Sequence, residues 1–317
     1  MPLTNANEPT KHIVDATVAA ALAAWPHVGS GDKLAVDGAA VDAMRASLQS
    51  AGFGGIVIIG EGEKDEAPML FNGEIVGHPD VVAVSVDWDI AVDPVDGTRL
   101  AAEGVPGAVA VMAAAERGSM LESSEVYMMK KIVSGPAGRG VLGIDATAAE
   151  NIAALASALG KDVGDLRVAV INKARNFELI AQVQEAGAQW VRFDEGDIAM
   201  AVAAATHGSG VDLLLGVGGS PEGVVAAVAV QVLGGFMQTR FAPQDAEQIA
   251  RGLAAGYDLD AKFELDDLVS GDRFVFVLTG ITDGVLARGI STQDGKLTME
   301  SFILDSCLEG GVRLLSN

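Results

Sequence analysis

The chain has 317 residues, half of them hydrophobic and 20% charged, which excludes a disordered protein and leaves a sizeable core for two domains or one large one. Its 43 Asp and Glu against 21 Lys and Arg give a net charge of −22, which excludes a surface that draws in nucleic acid or anionic membranes. The single cysteine, Cys307, excludes an intramolecular disulfide and cysteine zinc clusters, and His12, His27, His78 and His207 form no H-x-x-x-H pair. Any metal is therefore expected to be held by carboxylates, which points to Mg²⁺ or Mn²⁺.

Residues 11–25 predict a helix, since Ile13, Val14, Val18, Leu22 and Trp25 recur at helical spacing. After the loop Gly29-Ser30-Gly31-Asp32-Lys33, residues 37–48 predict a second helix with Asp37 near its start. Residues 56–59 read as a short buried strand, followed at once by Glu61-Gly62-Glu63. Residues 81–92 read as strand material interrupted by Asp87-Trp88-Asp89, and residues 108–114 as a further strand. From there helices at 146–159, 176–185, 198–205 and 224–233 alternate with strands at 166–171, 190–193 and 211–217. Residues 273–278 and 296–304 return to strand pattern. Strands alternating with helices imply an α/β fold with parallel or mixed sheets covered by helices. A boundary is expected near residue 145, where the alternation becomes regular, giving halves 1–145 and 146–317. The most apolar helical stretch, 223–237, is too short and glycine-rich to span a membrane, and MPLTNANEPTK lacks the pattern of a signal peptide, so a cytoplasmic protein without a membrane partner is expected.

Three acidic motifs sit just past apolar runs: IVIIG-EGE, DIAV-DP-VDGT and LLLGVGGS-PEG. Alone, D-x-x-D-G reads as a surface turn. In α/β sheets, however, ligands bind beyond the carboxyl ends of strands. If these ends are neighbours, Glu61, Asp93, Asp96 and Glu222 converge, and crowded carboxylates need divalent cations to offset their repulsion. Such ions can clamp the attacking and leaving oxygens of phosphoryl transfer, with the Thr98 hydroxyl aimed at the reacting atom. Gly216-Val217-Gly218-Gly219-Ser220-Pro221 reads as a glycine-rich turn before a helix, and meets neither the Walker A nor the dinucleotide pattern. Lys173 and Arg175, just past a strand, are candidate phosphate ligands or a solvated helix start. Tyr127, beside Lys130 and Lys131, reads as a phosphate contact or a core tyrosine. Glu195-Gly196-Asp197 can accept sugar hydroxyls, or Asp197 can cap a helix.

The segments AVDGAAVDAMR, IVIIGEGEKDEAPML, DIAVDPVDGTR, YMMKKIVSGP and GVGGSPEGVV together resemble the class II fructose-1,6-bisphosphatases of bacteria, within the lithium-sensitive phosphatase superfamily. The match spans about residues 12–235, with a weaker piece in VLTGITDGVLARGI. DPxDGT marks the superfamily; GEGExDEAPML with GGxPEGV marks this family. The resemblance implies an α/β/α/β/α sandwich and hydrolysis of the 1-phosphate of fructose 1,6-bisphosphate, in gluconeogenesis or Calvin-type metabolism. It implies metal ligands Asp37, Glu61, Asp93, Asp96 and Glu222 for Mn²⁺ or Mg²⁺, and substrate contacts at Asp96, Gly97, Thr98, Tyr127, Lys173, Ala174, Arg175, Glu195, Gly196, Asp197 and Gly219. Thr98, Asp93 and Glu61 are the expected catalytic group, with Thr98 orienting the attacking water. Residues 1–145 would carry the metal motifs and 146–317 complete the substrate pocket. Self-association as a dimer or tetramer is expected on the same ground.

The chain departs from the family pattern at several positions. Asp96 stands where many relatives have Glu, which shortens the reach of the carboxylate. Ala174 replaces Pro, Asn176-Phe177 replaces His-Asp, Glu195 replaces Asp and Met129 replaces Glu. Alternatives are a bifunctional fructose-1,6-/sedoheptulose-1,7-bisphosphatase, an inositol or nucleotide phosphatase, and a non-catalytic sensor of sugar phosphate or metal. The extended GEGE and PEG motifs argue against the inositol or nucleotide enzyme, and intact Asp93, Asp96, Thr98 and Glu222 against the sensor.

Overall fold

The computed structural model describes residues 6–61, 70–308 and 312–316. The chain forms two compact units, one from residues 1–122 and 270–317, the other from Ser123–Val269. The contacts thus change over at Glu122/Ser123 and again at Val269/Ser270, and residue 145 lies inside the second unit. The reason lies in the strand pairing: Phe274–Gly280 returns from late in the chain to lie antiparallel to Val109–Glu116.

The first unit holds a seven-stranded mixed sheet in the order Val312–Ser316, Glu300–Asp305, Phe274–Gly280, Val109–Glu116, Trp88–Asp96, Gly55–Ile59 and Ile75–Val76. Only Gly55–Ile59 and Trp88–Asp96 are parallel. Alternate residues Trp88, Ile90 and Val92, with Val57, Met112, Val275 and Val277, form one apolar face. Helices Thr10–Ala24 and Lys33–Leu48 cover that face through Ile13, Ala16, Ala20, Val36, Ala40 and Met44. Alanine is both the best helix former and small enough to let a helix approach a sheet closely. The second helix starts four residues earlier than its apolar pattern indicates, because Asp32 caps it by accepting from the Ala35 N–H at 3.0 Å. A hydroxyl tie joins layer to layer: Thr279 donates to Thr17 at 2.9 Å.

The second unit holds a six-stranded sheet in the order Phe263–Glu264, Phe236–Phe241, Met128–Ser134, Leu213–Gly219, Arg167–Ile171 and Gln189–Phe193. Its last three strands are parallel to one another. Helices Ala148–Leu159 and Phe177–Glu185 bury Ile152, Leu155, Ile180 and Val183 against Ile132, Val168, Val170 and Leu215 on one face. Helices Asp197–Ala205 and Ser220–Val232 pack on the other face, where Gly223 lets the Met129 and Lys131 side chains approach. Both units are therefore layered α/β, as the strand–helix alternation predicts.

Candidate active site

Two of the three acidic motifs, those of Glu61 and of Asp93 and Asp96, lie at neighbouring strand ends in the first unit, and the third, with Glu222, belongs to the second unit. The parallel register pairs Ile59 with Ala91, so two residues further on Glu61 follows one strand at the level where Asp93 sits in the other. The chain then bulges: Asp93 faces Val111 and Asp96 faces Val109, so one extra residue is accommodated around Pro94, which has no N–H to offer the ladder. Asp93 Oδ1 accepts from the Val95 N–H at 3.1 Å, while the Thr98 hydroxyl donates to the Val95 carbonyl at 3.0 Å. The two side chains thus hold the N–H and the carbonyl of one residue, Val95. Gly97 adopts φ 90°, a conformation that favours glycine, and turns the chain directly into the helix Thr98–Glu103. Asp96 is buried, and Asp93, Thr98, Glu61 and Asp37 are half-buried. Asp37 lies in the helix Lys33–Leu48, which packs against both Trp88–Asp96 and Thr98–Glu103. Gly60 is held by the Asn72 side chain, whose Oδ1 accepts its N–H at 3.0 Å. Gly62 and Glu63 of the GEGE motif lie outside the described residues.

In the second unit the predicted substrate residues share one end of the sheet. Lys173, Ala174 and Arg175 follow the strand Arg167–Ile171, and Glu195, Gly196 and Asp197 follow its parallel neighbour Gln189–Phe193. Gly219 ends Leu213–Gly219, parallel to the same strand. Tyr127 precedes an antiparallel strand in which Met128 faces Gly219, and the Ser220 N–H donates to the Tyr127 carbonyl at 2.9 Å. Tyr127 is half-exposed rather than a core residue, with the Arg251 guanidinium 5.8 Å from its ring centroid. Ala174 and Arg175 are exposed. The glycine run is not a loop: the strand continues to Gly219 and the helix Ser220–Val232 begins at the next residue, with Glu222 in its first turn. The Glu222 carboxylate lies so close to Gly219 that a Cβ there would collide with it.

The sequence pattern missed two supports of this edge. Asn176 is buried, and its amide closes on Val217 from both sides, accepting the Val217 N–H at 2.8 Å and donating to the Val217 carbonyl at 2.9 Å. Arg175 Nε donates to the same carbonyl at 2.8 Å. Lys131 is the other. Its neighbour Lys130 lies on the opposite face and donates to the Ile144 carbonyl at 2.7 Å; burial, first, and the Arg240 cation lower its pKa, with Asp145 pulling the other way. Lys131 itself is buried and ion-paired to Asp197. A Lys-Lys pair inside a strand is the signal that could have found it, since one of the two must face inward.

The all-carboxylate donor set of Asp37, Glu61, Asp93 and Asp96 fits a hard divalent cation in its chemistry. Among the described residues, no three His, Cys, Asp or Glu side chains stand close enough together to hold a metal ion. No helix among the described residues is long and apolar enough to cross a membrane.

Layered α/β units with carboxylates at adjacent strand ends define the class, a fold of the sugar- and inositol-phosphatase type. Residues 8–316 match the family described as bacterial fructose-1,6-bisphosphatase, glpX-encoded. The chain is 40% identical over 301 residues to the fructose-1,6-bisphosphatase class 2 of Haemophilus influenzae, covering 91% of this chain and 89% of that relative. It is 39% identical over 301 residues to the fructose-1,6-bisphosphatase 1 class 2 of Escherichia coli strain K12, covering 91% of this chain and 88% of that relative. The chain belongs to the bacterial class 2 fructose-1,6-bisphosphatase family.

Proposed function

We propose that this chain hydrolyses the 1-phosphate of fructose 1,6-bisphosphate, giving fructose 6-phosphate and phosphate. As a member of its family it is a phosphoric monoester hydrolase. The observation that carries the substrate is the family match over residues 8–316, which takes in both units. The bulged strand end that aligns Asp93 and Thr98 on either side of Val95 supports the chemistry.

Metal dependence comes with the family. We assign Mn²⁺ or Mg²⁺, held in the first unit by Asp37, Glu61, Asp93 and Asp96. Bound there, a divalent ion supplies neutralising charge to the phosphoryl oxygens. Thr98 turns its hydroxyl from the Val95 carbonyl to the attacking water and orients it; the water oxygen bonds to phosphorus as the bond to the sugar O1 breaks, and the proton that the water gives up ends on O1, which leaves as the alcohol. Asp96, Gly97, Thr98, Tyr127, Lys173, Ala174, Arg175, Glu195, Gly196, Asp197 and Gly219 contact the substrate. The cations Lys173 and Arg175 suit a phosphate, and Glu195 and Asp197 suit sugar hydroxyls. Cytoplasmic residence and a homo-oligomer, dimer or tetramer, rest on the resemblance and are read by fractionation and sedimentation.

The test is phosphate release from fructose 1,6-bisphosphate with Mn²⁺, with Mg²⁺ and with EDTA, wild type beside Asp93→Asn. Release that needs the metal and is lost in the variant supports the reading. Folded wild-type protein that releases no phosphate with either ion sinks it.

A further inference from the structure

Lys131 sits in the central strand Met128–Ser134, and only 1% of its side chain is exposed. A bare ammonium in such a place carries a heavy desolvation cost and is tolerated only when paired and hydrogen-bonded. Two groups meet that need. Lys131 Nζ is ion-paired to Asp197 Oδ2, and it donates to the Gly219 carbonyl at 2.8 Å. Asp197 opens the helix Asp197–Ala205, directly after Gly196 at φ 90°, and its side chain is 10% exposed. Gly219 closes the strand Leu213–Gly219. One ammonium therefore joins three elements: the strand that carries it, a helix start and a strand end. Gly218 makes room for the pair, since a Cβ there would collide with Asp197 Oδ2 and stand 3.0 Å from Lys131 Nζ. Among the described residues, Oδ2 is the only oxygen of the Asp197 carboxylate with a hydrogen bond, so Oδ1 is left to accept from a ligand.

We propose that Lys131 is a positioning residue for sugar recognition: it touches no substrate, but fixes the rotamer and charge of Asp197 and the carbonyl of Gly219 so that Asp197 presents Oδ1 to a sugar hydroxyl. This rests on Asp197 and Gly219 being substrate contacts, as assigned above. Lysine suits the role because its donors rotate and can serve a carboxylate and a carbonyl at once, whereas a planar guanidinium cannot bend to both in a closed space.

The experiment compares sugar with phosphate. Wild type, Lys131→Met, Asp197→Asn and the double variant are assayed for kcat and KM with fructose 1,6-bisphosphate, and for competitive inhibition by fructose 6-phosphate and by inorganic phosphate. Lys131→Met should raise KM and the Ki of fructose 6-phosphate about tenfold, the loss of one charge-assisted hydrogen bond. The Ki of phosphate, which has no sugar hydroxyl, should stay within about twofold and kcat within about threefold, the pattern of lost ground-state binding. The double variant should lose no more sugar affinity than Asp197→Asn alone. Lys131→Gln keeps a donor for Gly219 and is the variant to use if the Met replacement does not fold. An equal loss for sugar and phosphate ligands, or additive losses in the double variant, overturns the positioning role while leaving the phosphatase intact. A wild type inactive on fructose 1,6-bisphosphate removes the substrate reading, and this proposal with it.

Discussion

The two units build the same kind of edge and give it opposite chemistry. In the first, parallel strands Gly55–Ile59 and Trp88–Asp96 lead into acids: Glu61, Asp93 and Asp96. In the second, parallel strands lead into Lys173 and Arg175 on one side and Glu195 and Asp197 on the other. Each edge also has a glycine at φ 90° that turns the chain straight into a helix, Gly97 before Thr98 and Gly196 before Asp197. The second unit balances its edge from within, since the buried Lys131 is ion-paired to Asp197. The first edge carries carboxylates that we propose hold the metal, and the second carries residues that we propose read the sugar.

The comparison can be broken most severely at the first edge. Chelation should bring phosphate release to background and leave the melting transition of the second unit in place; added Mn²⁺ or Mg²⁺ should restore it. Asp93→Asn should lower kcat on the order of 10²–10³-fold even with metal in excess. Thr98→Ala should lower kcat on the order of 10²-fold with little change in KM; near-normal turnover would remove Thr98 from the reaction. The second edge should fail through stability instead. Lys131→Met leaves a buried carboxylate uncompensated and should cost about 3–5 kcal/mol in urea unfolding; a variant as stable as wild type removes the ion pair from the supports of the fold.

The smallest effect is a control on charge at a helix start that carries none of the candidate site residues. Glu150 closes a capping box on the helix Ala148–Leu159, and its hydrogen bonds with Thr147 hold its pKa below the ordinary 4.5. A lowered carboxylate pKa stabilises the fold above the unfolded value and ceases to do so as pH falls through the folded value. Wild type should therefore melt slightly above Glu150→Gln at pH 7, and the gap should close below about pH 4. A gap that persists in acid assigns the effect to packing rather than charge.

Much of this was legible from residue order. Apolar runs ending in acids located Glu61, Asp93 and Asp96 at strand ends, and regular alternation gave the parallel part of the second sheet. The misses share one cause, long-range pairing that local pattern does not carry. The strand Met128–Ser134 is central in its sheet yet contains Lys130-Lys131, which breaks the apolar run; only the Asp197 carboxylate, distant in sequence, makes that burial tolerable. Residues 81–87 looked like strand because they are apolar, but Pro79 starts a short helix there and the ladder begins at Trp88. Gly216, Gly218 and Gly219 read as part of a glycine-rich turn, although the run 216–219 pairs with Met128–Lys131 residue for residue. Asn176, a departure from the family pattern, proved to be a clamp on Val217.

That residue-for-residue pairing has a consequence for motion. Binding edges are usually drawn from parts of a protein that open easily. Here Gly219 pairs with Met128 on the last rung of an antiparallel ladder, and the Ser220 amide just beyond it is locked to the Tyr127 carbonyl. Deuterium should enter the Gly218 to Ser220 amides as slowly as it enters the sheet interior, and much faster into the exposed turn at Ala174 and Arg175. Any adjustment to sugars of different length would then fall to that turn, where this chain has an alanine in place of a ring that fixes the backbone.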